Sequence, residues 1–179
     1  MAKVDRTTRT RHVSKRMPSR VGTLTLVATD AGLSAILWEN DRPDRVRVNV
    51  EAEDNVHPAL LETERQLKEY FAGQRTQFTV KLDLSGTAFQ RRVWRALLMI
   101  PFGETRSYAQ IAKQIGSPTA ARAVGAATGR NPVSIVAPCH RVVGSTGALT
   151  GFAGGLDVKA HLLAFEGAQT VTAPRRQTT

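Results

Sequence analysis

Ser107-Tyr108-Ala109-Gln110-Ile111-Ala112-Lys113-Gln114-Ile115-Gly116-Ser117-Pro118-Thr119-Ala120-Ala121-Arg122-Ala123-Val124-Gly125-Ala126-Ala127-Thr128 reads as two helices around one turn. Ser107 and Gln110 have the spacing of a capping box, in which hydroxyl and amide satisfy the first free N–H groups of a helix. Gly116 ends that helix. Ser117 and Pro118 then open a second one, which runs to about Thr128 before Gly129-Arg130-Asn131-Pro132 stops it. Helix, glycine turn and helix form a helix-turn-helix signature. The second helix is almost bare, carrying Arg122 and Val124 among alanines and Gly125. Small residues of this kind serve either tight packing on a neighbouring helix or close approach to a duplex, with one arginine to insert.

Upstream, Thr87-Ala88-Phe89-Gln90 is another capping box, and Phe89, Val93, Trp94, Leu97 and Leu98 follow at helical spacing. Leu84-Ser85-Gly86 marks a boundary where periodicity changes. Before it, Leu24, Leu26 and Ala28 alternate with Thr23, Thr25 and Val27. After the Asp30-Ala31-Gly32 turn comes Leu33–Trp38, so a hairpin is expected. Arg45–Val50 alternates strictly and predicts a third strand with its charged face outward. Pro58 to Gly73 predicts a helix whose apolar face holds Leu60, Leu61, Leu67, Tyr70 and Phe71, and Phe78–Asp83 predicts another strand. The expectation is an α+β chain. Residues 1–19 form a basic, partly disordered tail, residues 20–84 a scaffold domain, residues 85–167 a helical domain carrying the chemistry, and residues 168–179 a second tail.

Charge follows the same division. Among 179 residues with a net charge of +10, residues 21–83 hold seven Lys/Arg against eleven acids, while residues 84–167 hold nine against three. A basic half beside an acidic one fits a polyanion partner on one side of the molecule or a solvated surface of high charge. One cysteine excludes an internal disulfide and a multi-thiolate metal site, and the four histidines lack metal-binding spacing, so no metal or cofactor is expected. No apolar run approaches a membrane span and no signal peptide is evident, which predicts a soluble, cytoplasmic protein without membrane partners.

That cysteine lies in Asn131-Pro132-Val133-Ser134-Ile135-Val136-Ala137-Pro138-Cys139-His140-Arg141-Val142. A lone cysteine is commonly a small buried hydrophobe. Here His140 and Arg141 follow it, and a thiol reacts as thiolate, which positive neighbours favour. Val143–Thr150 predicts a hairpin or wing, Gly151–Gly155 a close-approach loop, and Leu156–Phe165 a last helix. Glu166 shares a face with Leu162 and Leu163 and sits at the helix end where an acid is disfavoured, so it requires a partner; His140 and Arg141 are both candidates. A nucleophile, a base and an orienting acid form the logic of an activated nucleophile.

Pro138-Cys139-His140-Arg141-Val142 resembles the signature of the O6-alkylguanine-DNA alkyltransferases, also called methylated-DNA–protein-cysteine methyltransferases. Phe89–Trp94, Ile100–Thr105, Ser107-Tyr108, Ala120–Gly125, Asn131-Pro132, Gly154–Leu156 and Glu166-Gly167 are also similar to that family. The resemblance covers roughly residues 20–167. It implies a ribonuclease H-like α/β domain followed by a winged helix-turn-helix domain. It implies single-turnover DNA repair, in which the methyl or other alkyl group of O6-alkylguanine, and of O4-alkylthymine, passes to Cys139. The nucleotide would be flipped through the minor groove of double-stranded DNA, and the protein would act as a monomer able to cluster on DNA. His140, through water, and Glu166 would make the thiolate available, Asn131 would brace the turn, and Tyr108 would aid extrusion and proton donation. Arg122 would fill the gap left by the base, with Ala120, Ala121, Tyr108 and Thr128 on the DNA side. Val142, Phe152, Ala153 and Gly154 would form the substrate pocket. Phe152 and Ala153 stand where the family usually has Tyr and, in some members, Ser, so two pocket hydroxyls are missing. A lesion sensor without transfer, or a winged-helix regulator, would share the DNA-binding features but would not need the Cys139, His140 and Glu166 set.

Overall fold

A computed structural model describes residues 10–168. Four strands, β1 (His12–Met17), β2 (Leu24–Thr29), β3 (Gly32–Trp38) and β4 (Val50–Glu53), make one sheet in the order β3-β2-β1-β4. The expected hairpin is β2–β3, antiparallel, with Leu26 opposite Ile36 and Leu24 opposite Trp38. β1 pairs antiparallel with β2 and parallel with β4. Helix α1 (Pro58–Phe71), opened by proline, packs on the sheet and buries Leu60, Leu67, Tyr70 and Phe71. The rest is helical: α2 (Ala88–Leu98), α3 (Tyr108–Gln114), α4 (Ala121–Thr128) and α5 (Leu156–Phe165), with a small parallel pair between β5 (Arg106–Ser107) and β6 (Val142–Val143). Both predicted capping boxes form. The α+β architecture is as the sequence implied.

Five local expectations are corrected. The basic tail assigned to residues 1–19 contains β1, an interior strand of the sheet; residues 1–9 lie outside the described residues. Val13 and Met17 are buried, Lys15 meets Glu64 of α1 at 3.4 Å and Arg16 faces outward, so a basic composition concealed a strand whose apolar side chains reach the core. The alternation at Arg45–Val50 does not form the expected strand: β4 starts at Val50, and Arg45 points inward rather than to solvent. Phe78–Asp83 gives only one bridge, Leu33 to Leu82. Helix α4 starts at Ala121 with Ala120 as an uncapped N-cap, because Pro118 and Thr119 lie in a turn. The wing is reduced to a tight turn in which Gly144 N–H donates to Ala148 O at 2.8 Å. Of the C-terminal tail, only Ala168 is described.

The free edge of β3 joins the two halves. Leu33 N–H donates to Lys81 O, and Asp83 N–H to Leu33 O, both at 2.8 Å. Farther along the same edge, Ile36 N–H donates to Pro132 O at 2.8 Å, so the segment leading to Cys139 docks on the sheet like an added strand. One core runs across this junction, from Leu26, Ile36 and Leu67 to Val93, Leu97, Ile111, Val124, Val133 and Leu162. Gly32 permits the junction. It has φ +146°, and a Cβ there would lie 2.4 Å from Lys81 O. Gly32→Ala is therefore expected to cost about 3 kcal/mol through backbone strain and a forced shift. That corresponds to a thermal midpoint roughly 6–12 °C lower for a domain of this size. Calorimetry showing an unchanged midpoint would contradict the close approach.

Candidate active site

Cys139 begins a single 3-10 turn, Cys139–Arg141, that follows a strained loop. Ile135 has φ +74°, a left-handed conformation that β-branched residues rarely adopt and that costs of order 1–3 kcal/mol. The surroundings impose it. Asn131 Nδ2 donates to Ala137 O at 2.7 Å and its Oδ1 accepts from Val133 N–H at 3.1 Å, closing the loop across its neck. Ala137 N–H donates to Val133 O at 2.9 Å, and the Ile135 side chain is fully buried. Asn131 is in turn held from the first half of the chain: Arg45, buried, donates to Asn131 O, to Ile36 O at 2.8 Å and to Asp41. Trp38 Nε1 donates to Ser134 Oγ at 3.3 Å.

Both candidate partners of Glu166 bind it. His140 Nε2 lies 2.8 Å from Oε1, Arg141 Nε donates to Oε2 at 2.8 Å, and Arg141 Nη2 donates to Oε1 at 2.9 Å. Tyr70 of α1 adds a hydrogen bond to Oε1 at 2.7 Å. Burial alone would raise the Glu166 carboxyl, but the hydrogen bonds from His140, Arg141 and Tyr70 outweigh it and hold the group at about 2. An ionised carboxylate only accepts, so His140 Nε2 carries the proton in this pair. Burial pushes the imidazole below its usual value against the pull of Glu166, which keeps the ring neutral near pH 7. The neutral ring then has a lone pair at Nδ1, an atom buried without a hydrogen-bond partner among the described residues. It can receive a proton.

The thiol differs from the expectation that positive neighbours favour its anion. Burial raises it; hydrogen bonds from Asn131 and Ser134 and the charges of Lys159 and Arg45 act in the opposite direction without prevailing. Arg141 is committed to Glu166 and to Ile100 O at 2.6 Å. Lys159 is fully buried, its Nζ donating to Val142 O at 2.6 Å and to Thr150 O at 2.7 Å, and burial lowers it to about 8.

Beside the sulfur lies a cavity of about 350 Å³ lined by Arg42, Tyr108, Gly125, Thr128, Gly129, Asn131, Ser134, Cys139, Gly151, Phe152 and Ala153. It brings together six residues singled out in the sequence: Tyr108, Thr128, Asn131, Cys139, Phe152 and Ala153. Tyr108 hydroxyl lies 2.9 Å from Thr150 Oγ1, and Thr128 Oγ1 is buried without a partner among the described residues. Two expected pocket residues do not line it. Val142 is buried, its carbonyl taken by Lys159 and its N–H by Cys139 O. Gly154 packs on Trp38, whose ring a Cβ would meet at 2.9 Å. Helix α4 packs on the core with one side and leaves the other exposed. Val124, Ala127 and Thr128 face the core, where Trp94 Nε1 donates to Ala127 O at 2.9 Å, while Arg122, Ala123 and Ala126 form a shallow exposed face. Ala120 and Ala121 are half-buried at its start.

The sequence reading missed Tyr70, Arg45, Arg42, Ser134 and Lys159 as site residues. Only Lys159 left a signal, since it lies on the helix face that holds Leu162, Leu163 and Glu166.

Residues 14–84 match the family model described as "6-O-methylguanine DNA methyltransferase, ribonuclease-like domain", and residues 88–168 the corresponding DNA-binding domain. A methylated-DNA–protein-cysteine methyltransferase of Mycolicibacterium paratuberculosis is 49% identical over 152 residues, covering 85% of this chain and 90% of that protein. Its namesake in Mycobacterium leprae is 47% identical over 158 residues, covering 88% and 94%. The crystal structure of Mycobacterium tuberculosis OGT in complex with DNA superposes with a TM-score of 0.79 at 46% identity, covering 86% of this chain and 92% of that one.

Glu166 gives a prediction in acid. Its folded-state value lies below the unfolded one, so its contribution is complete above about 4.5 and is lost as pH falls toward about 2. Glu166→Gln is expected to remove that part of the acid dependence and to lower stability at pH 7 by about 3 kcal/mol, because Arg141 is left buried without its counter-charge. Urea titrations between pH 7 and pH 3 check this; parallel stability curves for the two proteins would refute it.

Proposed function

Because this chain belongs to the 6-O-methylguanine DNA methyltransferase family, we propose that it repairs DNA by moving the alkyl group of O6-alkylguanine, and of O4-alkylthymine, to Cys139 in one irreversible turnover. The observation that carries this reading is the cavity of about 350 Å³ that ends at Cys139, beside α4 and the His140–Glu166 pair. The O6 carbon is inaccessible within a base stack, so the nucleotide leaves the duplex at a cost of a few kcal/mol, less for a damaged pair. In the cavity, Phe152 provides an apolar ring, while Thr128 and Ser134 offer polar atoms. The absence of a hydroxyl at Phe152 and Ala153 leaves base selection to stacking and to these other groups.

The chemistry follows from the site. The Cys139 proton passes, through water, to Nδ1 of His140, whose Nε2–H stays on Glu166. The thiolate sulfur attacks the saturated carbon on O6; a C–S bond forms as the C–O bond breaks, and the electron pair of that bond goes to guanine. Tyr108, at the cavity wall, assists extrusion and gives its phenolic proton to the purine, and the proton taken by His140 passes back through solvent to the phenolate, leaving neutral guanine, a neutral thioether and neutral His140 and Tyr108. Asn131 keeps the turn closed around the nucleophile. Arg122, on the exposed face of α4 with Ala120 and Ala121 at its start, enters the space left by the base. No cofactor takes part. A cytoplasmic setting keeps a single thiol reduced, and one monomer suffices, with clustering along DNA left to the basic surface.

Intact-protein mass spectrometry after mixing with duplex DNA containing O6-methylguanine is expected to show one added methyl, about 14 Da by thioether chemistry. Cys139→Ala is expected to bind the same DNA without reacting. An unmodified mass for the wild type, with DNA still bound, would make the protein a lesion sensor. Arg122→Ala is expected to slow transfer from duplex by roughly tenfold through poorer extrusion while leaving reaction with a free O6-alkylguanine base intact. Equal losses on both would remove the intercalating role.

A further inference from the structure

Two arginines lie three residues apart in the loop between β3 and β4, and they are used differently. Arg45 is buried and fully engaged, by Asp41, Ile36 O and Asn131 O. Arg42 is exposed, lines the acceptor cavity, and makes no ion pair or hydrogen bond through its guanidinium to any described residue. It is the one charged side chain among the described residues that line this cavity. Of the other lining residues, Gly125, Gly129 and Gly151 add only backbone.

The loop holds Arg42 in place. Trp38 N–H donates to Asp41 Oδ2 at 3.1 Å and Asp41 N–H to Trp38 O at 3.3 Å, closing its first turn. Arg45 N–H donates to Arg42 O at 3.1 Å, so the backbone of Arg42 is tied to the buried arginine. Arg130, just past α4, donates to Asp44 O at 3.1 Å, which fastens the loop to the helical half of the molecule. Pro43 stiffens the chain immediately after Arg42.

We propose that Arg42 binds the phosphodiester group beside the extruded nucleotide, making the N-terminal domain part of the DNA-recognition surface in the flipped state. This rests on the alkyl-transfer reading above. The base that enters the cavity brings no net charge, and the anionic parts of the nucleotide are its flanking phosphates, which remain at the opening. A planar guanidinium with free donors suits a phosphate, and fastening its loop reduces the entropy lost on contact. The face of α4 that carries Arg122 would engage the duplex, while Arg42 would reach the strand from the loop between β3 and β4 that lines the same cavity.

The test compares full-length wild type, Arg42→Ala and Arg42→Lys in single-turnover reactions. The substrates are a duplex bearing O6-methylguanine and the free base O6-benzylguanine, which has no phosphate. Affinity for unmodified duplex is measured in parallel. Arg42→Ala is expected to slow transfer from the duplex by about three- to tenfold, in the range of an exposed charged hydrogen bond. Its salt dependence should weaken by roughly one phosphate contact. Reaction with the free base and affinity for unmodified duplex are expected to stay unchanged, and Arg42→Lys to recover most of the duplex rate. An unchanged duplex rate, an equal loss on the free base, or an equal loss of affinity for unmodified duplex would each overturn the contact. A wild type that reacts with neither substrate would instead remove the transfer reading itself.

Discussion

The Glu166 carboxylate at the end of α5 is bonded by side chains from two other parts of the chain: Tyr70 from α1, and His140 and Arg141 from the turn that begins with Cys139. A buried carboxylate is tolerable only with such partners, and removing one partner of a buried ion pair is far costlier than the net worth of the pair. The arrangement is therefore cooperative. The last helix, the nucleophile turn and the first helix must be correctly placed together or Glu166 stays unsatisfied. Arg141 extends the network to Ile100 O at 2.6 Å, just beyond α2. The same carboxylate fixes which nitrogen of His140 carries the proton, so one set of bonds both closes the fold and sets the protonation state of the site.

A second constraint comes from the opposite side. The loop before Cys139 contains Ile135 in an unfavourable conformation, and such strain persists only where the surroundings over-determine it. Asn131 supplies part of that determination. The rest comes from the first domain, through Ile36 N–H on Pro132 O, Arg45 on Asn131 O and Trp38 on Ser134. Residues 20–84 lack a nucleophile and read from sequence as a scaffold. The contacts give that scaffold a definite role: its sheet edge and one buried arginine hold the shape of the nucleophile loop.

This explains what the sequence could convey. Several local signals were sufficient, although the Ser117-Pro118 helix start and the Arg45–Val50 alternation were not. The Thr87 and Ser107 capping boxes, the Asp30-Ala31-Gly32 turn and the proline start of α1 all form as read. Cys139, His140 and Glu166 were legible because their surroundings are odd for their residue types: a lone thiol before two basic residues, and an acid on an apolar face. Residues whose role is created by distant contacts were not legible. β1 looked like a basic tail because Lys15 and Arg16 dominate its composition, although Val13 and Met17 reach the core. Arg45 looked like the outward face of a strand, and Tyr70 like an ordinary core aromatic. In each case the partner lies far away in sequence: Glu64 for Lys15, Asn131 for Arg45, Glu166 for Tyr70.

The raised thiol at first looks unsuited to a nucleophile, since little anion exists at rest. Two physical effects reverse that judgement for the proposed transfer. A thiolate is intrinsically more nucleophilic when its conjugate thiol is the weaker acid, so burial strengthens the anion once His140 has taken the proton. Burial also penalises the anion and not the neutral thioether, so the environment that disfavours the resting thiolate favours the alkylated product. A catalyst that must regenerate its nucleophile would gain nothing from the second effect. A protein with a single cysteine that reacts once gains from both, because the same desolvation keeps the resting thiol neutral and disfavours expelling the thiolate again from the thioether.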